Sequence, residues 1–408
     1  MPGLSQAGVI WLDVTRLISR AGRGVLTGID RVELAYLEHL LTCPTAAVRF
    51  LLRSTRGYIL LDEDGGKVLR DLVLGQMPLG PADRLSRLFG KGTDPRHRVE
   101  ASLRPLAIAR CLRGGLGRMI GRMAKGPGWY LNIGHTGLSA ARLAAFSSHS
   151  EMRVAVLIHD LIPITHPDLV APGMPARFAT RLDAVRAYAD LVICNSAATA
   201  GELQRHWAGG QSPHRIVAHL GVEAALRHDT ARDRRHVVML GTIEPRKNHG
   251  LMLDTWEVLA RDLPQDHLPQ LHIIGPTGWQ VDALMERLAR HPLLGRAIHH
   301  HGPLSEVEVR RHLARAAALV FPSLAEGYGY PPLEAALAGA MPICSDLSVF
   351  RETLGNSAVY VPHQDAYSWA ETIKKLLVVS DELPSLPPPK APGWDAHFET
   401  VGAFLAHP

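Results

Sequence analysis

Cysteine is scarce in this chain and long apolar runs are missing, and each absence removes a class of protein. Only Cys43, Cys111, Cys194 and Cys344 occur in 408 residues, with no CxxC pair and no disulfide-like spacing. A disulfide-stapled secreted scaffold is thereby excluded, and a reducing cytoplasm is the expected compartment. No run of about 18 apolar residues could span a bilayer, and no basic, apolar, small-residue series of a signal peptide opens the chain. A dinucleotide fingerprint is also missing, because Gly22-x-Gly24 before Gly28 lacks the required spacing. What remains, 46% apolar and 20% charged residues, is an ordinary globular composition.

At 408 residues the chain exceeds what one hydrophobic core usually supports. Short apolar runs alternate with helical stretches along it, the pattern of parallel sheets covered on both faces. Runs at 9–14, 48–53, 58–62, 129–133, 154–158 and 191–194 form a first series, and 216–222 reads as a connection. A second series follows at 237–240, 271–274, 297–300, 319–321, 342–344 and 359–361. Pro384, Pro387, Pro388, Pro389 and Pro392 then stiffen a linker to a last helix at 394–405, which could cross back onto the first domain. The expected fold class is α/β, with two doubly wound, Rossmann-like domains at 1–218 and 219–383 and a C-terminal segment at 384–408. Such sheets bind ligands in the crevice beyond the carboxyl ends of their strands.

The net charge of +5 is uneven, since Arg84–Lys125 carries eleven Lys/Arg against Asp94 and Glu100 (11 − 2 = +9). Leu85, Leu88, Phe89, Leu103, Leu106, Ile108, Leu112, Leu116, Met119, Ile120 and Met123 are interleaved with these charges. Basic amphipathic helices of this kind either dock on an anionic membrane surface or pack their apolar face on their own domain. Nucleic acid is not an expected partner.

Two motifs carry chemistry. Glu326-Gly327-Tyr328-Gly329-Tyr330-Pro331-Pro332-Leu333-Glu334 follows a strand-like run and places two carboxylates around a Gly/Pro turn. Glu334 is expected in the first turn of a helix opened by the prolines. Glycines admit close backbone approach, helix amides favour phosphate, and the acids suit sugar hydroxyls. Gly241-Thr242-Ile243-Glu244-Pro245-Arg246-Lys247-Asn248-His249 sets two cations beside a second helix start, with Asn248 as expected N-cap.

With GTIEPRKNH at 241–249, LHIIGPTG at 271–278, HHGPLS at 300–305 and FPSLAEGYGYPPLEAALAG at 321–339, the chain resembles the retaining glycosyltransferases of family 4, which have the GT-B fold. SDLSVFRETLGNSAVYVPHQD at 345–365, TGIDRVE at 27–33, IHDLIPITHPD at 158–168 and CNSAATAGEL at 194–203 look similar too, with the bacterial mannosyltransferase-like branch nearest. The resemblance implies transfer of a hexose from a nucleotide diphosphate sugar, GDP-mannose first, to a glycan or lipid-linked acceptor of a cell-surface polysaccharide. It gives Lys247 and Arg246 the donor diphosphate, Glu334 the ribose, Glu326 the hexose and the amides near Gly327, Tyr328 and Gly329 the sugar and phosphate oxygens. Leu304, at a strand end from Gly302, meets the base. His159 reaches the donor sugar from the other domain, and Gly28 lets the backbone approach the ligands. Thr242 stands where relatives often have an arginine, which leaves phosphate neutralisation to Arg246 and Lys247. Arg31, His135 and Asp160 are acceptor-side expectations, with ordinary loop placement an equal alternative for His135 and a mainly structural role the alternative for Asp160, and no cofactor or metal is expected in the reaction. The enzyme would work in the cytoplasm, held by its basic region at the inner face of the membrane.

Rival readings are a silent nucleotide-sugar-binding subunit of an assembly complex, and another GT-B enzyme such as an epimerase or phosphorylase. The intact set Glu326, Glu334, Lys247 and His159 speaks against a silent subunit. Asp62-Glu63-Asp64, followed by Gly65-Gly66, reads as a hairpin turn rather than a metal cluster. His299-His300-His301 reads as a structural strand end, because successive strand residues face opposite ways.

Overall fold

Every residue of Val9–Asp13, β1, is buried, so a strand that alternates its side chains must be covered on both faces. Ile10 and Leu12 join one apolar cluster, and Val9 and Trp11 join another across the sheet. The computed structural model describes residues 8–22, 26–43, 47–83, 94–222, 232–362, 364–380 and 382–406. Around β1 the first sheet adds β2 (Ala47–Arg53), β3 (Gly57–Leu61), β4 (Ala107–Leu112), β5 (Gly128–Asn132), β6 (Met152–Ile158), β7 (Leu191–Cys194) and β8 (His214–Val217). Its order is β4-β3-β2-β1-β5-β6-β7-β8, parallel except where β3 pairs antiparallel with β2 and β4.

The second sheet is parallel throughout, in the order β11-β10-β9-β12-β13-β14. Its strands are β9 (Asp233–Leu240), β10 (Gln270–Ile274), β11 (Ile298–Gly302), β12 (Ala316–Phe321), β13 (Met341–Ser345) and β14 (Val359–Val361). Trp256 and Trp369 fill the core on one of its faces. The other face runs continuously into the first lobe's core through Leu220, Tyr328, Tyr330 and Phe398. In both sheets the chain order reverses beside the first strand of the series, between β1 and β5 and between β9 and β12. These are the switch points at which loops diverge and leave a crevice.

Three expectations are corrected. Asp62 does not lie in a hairpin turn. It caps the helix Glu63–Val73 by accepting from the Gly65 amide at 3.2 Å, and the acids after it sit in that helix's first turn, where they suit its dipole. The true hairpin lies one strand earlier, at Ser54–Arg56. The connection expected from 216 instead begins inside β8, which pairs parallel with β7. The basic region is not a pair of helices: between the helices Pro95–Leu103 and Leu116–Met123 it forms β4 at the sheet edge. Residues 84–93, with Leu85, Leu88 and Phe89, lie outside the described residues.

The last helix, Trp394–Ala406, packs on the first lobe. His397 Nε2 lies 2.7 Å from the Tyr36 hydroxyl, the Trp129 indole donates to the Leu405 carbonyl at 3.1 Å, and Phe398 stacks on His39. Glu352 of the second lobe accepts from the Ala197 and Ala198 amides at 2.5 and 2.9 Å, so it caps the first lobe's helix Ala197–His206.

At the end of β1, the Asp13 carboxylate accepts from Arg142 at 2.6 Å and from the Tyr130 hydroxyl at 2.7 Å, and both ion-pair side chains are 2% exposed. Removing one partner of such a pair strands a charge in the core. Asp13→Ala is therefore expected to cost about 3–5 kcal/mol in urea unfolding. The double variant Asp13→Leu/Arg142→Met should lose much less, and equal losses would show that the pair has no such role.

Candidate active site

The loop after β9 and the loop after β12 emerge on either side of a switch point, so the two motifs must meet there. They are stitched by main chain, with the Leu324 amide donating to the Arg246 carbonyl at 2.8 Å. Between them Glu326 accepts from Lys247 Nζ at 2.5 Å and pairs with Arg246 at 2.7 Å. Arg246 also holds Glu244 at 2.6 Å, and Lys247 Nζ lies 4.2 Å over the Phe321 ring. Lys247 and Glu326 are each 8% exposed at the side chain.

Burial raises the Glu326 carboxyl, but Arg246 and Lys247 outweigh it and hold the group down at about 2. Burial pulls the Lys247 ammonium down to about 8, with Glu326 opposing and Arg246 adding to the fall. Arg246 stays charged. At neutral pH Arg246, Lys247 and Glu326 thus contribute two positive charges and one negative, with Glu244 a second acid on the outer side of Arg246.

The opposite wall comes from the loop after β6. Gly327 approaches so closely that a Cβ there would lie 2.5 Å from the His159 carbonyl and 3.0 Å from Asp160 Cβ, which only glycine tolerates. Asn195 donates to the same carbonyl at 2.8 Å. His159 is 5% exposed, and its Nε2 lies 2.8 Å from the Ile133 carbonyl, so it donates there and leaves Nδ1 as the acceptor. Burial and the neighbouring His135 push its pKa well below the ordinary value, so the imidazole is neutral. His135, at φ +56°, is tied to the Leu157 carbonyl at 2.7 Å and packs edge-on against His159 at 5.0 Å. Burial raises the Asp160 carboxyl, while Arg246 across the gap lowers it.

A second crossing lies beside the first. Thr27 caps the helix Gly28–Thr42, its hydroxyl donating to Asp30 at 2.6 Å, which sets Arg31 on the helix's opening turn. Arg31 pairs with Glu334 at 2.5 Å and lies 5.0 Å over the Tyr330 ring. A Cβ on Gly28 would sit 3.3 Å from the same ring. Tyr328 and Tyr330 donate their hydroxyls to the carbonyls of Leu220 and Gly221 in the inter-lobe connection.

The structure thus gathers Arg246, Lys247, Glu326, His159 and Asp160 at one place, and Arg31, Glu334, Tyr330 and Gly28 beside it. Glu334 falls at the fifth residue of the helix Tyr330–Ala338 rather than in its first turn. Asn248 takes the N-cap position with φ +57°, Thr242 follows Gly241 with its methyl against Gly278 of the loop after β10, and Leu304 lies half-buried past the end of β11. The sequence reading missed His249: it begins the helix His249–Asp262 beside Lys247, and both ring nitrogens are buried without a hydrogen-bond partner. Its place in the 241–249 motif was the available signal.

Residues 225–384 match the family model described as glycosyl transferases, group 1. By that match the chain is similar, over its C-terminal lobe, to the group 1 glycosyltransferases. Over 247 residues, 55% of this chain, it is 30% identical to the serotype-specific mannosyltransferase WbdA of Escherichia coli, of which that match covers 30%. The chain therefore spans about a third of that relative's length. A 76-residue stretch is 41% identical to the O-antigen chain mannosyltransferase RfbU of Salmonella typhimurium, covering 19% of this chain and 22% of the relative. HepE of Anabaena, solved in complex with UDP, superposes with a TM-score of 0.59 at 15% identity, over 98% of this chain and 94% of that one. Sucrose-phosphate synthase of Thermosynechococcus elongatus gives 0.57 at 16%, over 98% and 93%. Both superpositions span the two lobes, and the fold is GT-B.

Because burial pulls Lys247 down to about 8, binding of an anion that needs its charge must take up a proton from solution at higher pH. Nucleoside diphosphate affinity in metal-free buffer is expected to be level from pH 7 to about 8, then to fall up to about tenfold per pH unit. Isothermal titration checks this, with Lys247→Met weak at every pH. A level wild-type profile to pH 9.5 would contradict the assignment.

Proposed function

We propose that the chain is a retaining hexosyltransferase that moves mannose from GDP-mannose to a glycan or lipid-linked acceptor in bacterial cell-surface polysaccharide synthesis. The observation that supports it most is the meeting of Arg246, Lys247 and Glu326 with His159 and Asp160 where the two lobes touch. The likeness to mannosyltransferases is the support for the sugar.

Breaking the anomeric C–O bond puts positive charge on the sugar and negative charge on the departing diphosphate. Fixed cations aimed at the developing charge lower that barrier, an effect commonly worth several kcal/mol. Arg246 has five N–H donors and Lys247 three, enough to hold both Glu326 and phosphate oxygens. With a diphosphate bound, Glu326 turns one oxygen to the hexose hydroxyls, and the neutral His159 accepts a further sugar hydroxyl at Nδ1. On this reading the acceptor hydroxyl attacks from the face the diphosphate leaves. Its proton passes to a phosphate oxygen, so neither a metal ion nor a separate strong base is required of the protein. Glu334 would receive the ribose and the end of β11 near Leu304 the base.

Nucleoside diphosphate release from GDP-mannose should be slow without acceptor and should fall at least about a hundredfold in Glu326→Ala and Lys247→Ala, the scale of losing one charge-stabilising group. Wild-type protein that binds the nucleotide sugar but releases nothing with any acceptor would point to a silent subunit. Conversion of the sugar without acceptor would point to an epimerase.

The basic region supports a membrane-surface role in altered form. Val99, Leu103, Leu116, Met119 and Ile120 are buried in the lobe, and Arg96 and Arg104 are paired with Glu100. Arg110, Arg113, Arg118, Arg122 and Lys125 remain exposed beside Ile108 and Leu112, the latter 71% exposed. Such a patch would hold an anionic leaflet by charge, at about 1 kcal/mol per cation. Pelleting with phosphatidylserine vesicles should exceed that with neutral ones and drop with salt. Equal pelleting would remove the membrane from this proposal.

A further inference from the structure

Five histidines converge on the sheet of the second lobe, on the same face as Val238 and Ile274 and away from the strand ends that form the site. His236 comes from β9, His272 from β10, His299 and His301 from β11, and His312 from the helix Glu306–Arg315 that packs over them. Alternation in β11 puts His299 and His301 on one face, both ring-packed on His272 at 4.9 and 5.2 Å, while His300 belongs to the other. His272 stacks on His236 at 3.9 Å. His236 Nε2 lies 3.1 Å from His312 Nδ1, and His272 Nδ1 lies 2.9 Å from His301 Nε2.

One nitrogen from each of His236, His272 and His312 lies within 4.8 Å of the others. Tetrahedral zinc with bonds of about 2.0–2.1 Å needs nitrogens about 3.3 Å apart. The His236–His312 pair already has that spacing, and the remaining adjustment is small. His272 Nε2 and His299 Nε2 are buried with no hydrogen-bond partner. A protein that gains nothing from an imidazole rarely buries one in that way.

We propose that His236, His272 and His312 form a structural metal site for a divalent transition ion that prefers imidazole, with zinc the first ion to try. The ion would pin the helix Glu306–Arg315 to the edge of the sheet formed by β9, β10 and β11. Burial and the crowding of like rings hold His236 at about 4 and His272 at about 3, so both offer lone pairs at neutral pH. Arg315, whose charge reaches His236 and His312, is held by Asp233 at 2.7 Å. An all-imidazole set suits zinc, cobalt, nickel or copper and disfavours magnesium or calcium. No step of sugar transfer involves this ion, so the site stands whether or not the proposed reaction does.

The experiment uses the full chain, stripped with chelator and dialysed, then titrated with Zn2+ and, for spectroscopy, Co2+. One equivalent is expected to bind, with a raised melting temperature and the visible bands of four-coordinate cobalt. Mg2+ should do neither. His272→Leu and His312→Gln should each weaken Co2+ binding at least tenfold. If His272→Leu fails to fold, His312→Gln, on a half-buried helix position, carries the comparison, with circular dichroism to establish that it is folded. Absent cobalt bands and an unmoved melting temperature would overturn the proposal. So would equal uptake by His312→Gln and wild type, which would assign the metal to other histidines.

Discussion

Glu326 is the group on which the arrangement of this site depends. A buried carboxylate beside a buried lysine and a partly buried arginine is stable only while all three remain together, since removing any one leaves uncompensated charge in a poorly solvated place. The three side chains come from two loops that the chain order of the second sheet forces into contact. Main-chain bonding between Leu324 and Arg246 fixes their spacing independently of the side chains. Strand order, loop contact and ion cluster are therefore one constraint expressed at three levels.

The same loop also sets the distance between the lobes. Gly327 lies against the His159 carbonyl and Gly28 against Tyr330, so the two walls meet through backbone and a ring rather than through long side chains. The Tyr328 and Tyr330 hydroxyls bond the inter-lobe connection, and Glu352 caps a helix of the first lobe. With the last helix packed on Tyr36 and Trp129, the lobes share an apolar core as well as polar clasps. Contact of this kind leaves Lys247 and Glu326 only 8% exposed at the side chain, which strengthens the charge interaction between them.

Much of this was legible beforehand, and the failures have physical causes. Strands such as β6 and β12 are apolar at almost every residue, which is the imprint of burial on both faces, and they were readable as runs. The loop motifs were readable because glycine, proline and paired charges have few other uses in that order. β4 was not, because an edge strand with one exposed face looks like an amphipathic helix when Arg and Leu alternate loosely. The helix Glu63–Val73 was hidden by Gly65-Gly66, residues that mark turns but here pack closely on Leu61 and Phe50. The histidine cluster was invisible in principle: its members lie on four elements, from 236 to 312, and only sheet register brings them together. The Arg31–Glu334 contact is of the same kind, 303 residues apart.

That last contact bears on how a nucleotide would enter. Arg31 and Glu334 have side chains 34% and 20% exposed, and ion pairs so placed contribute about 0.2–1 kcal/mol. The Lys247–Glu326 pair is far more buried and correspondingly costly to open. A nucleotide whose ribose engages Glu334 therefore exchanges a weak clasp for its own hydrogen bonds, while the cluster stays assembled and gains phosphate as a further partner for its two cations. Binding on the proposed reading would loosen the lobes at the helix Gly28–Thr42 and tighten them at Gly327. On that reading the soft contact lies where the nucleotide would pass, and the rigid one where the diphosphate charge would be held.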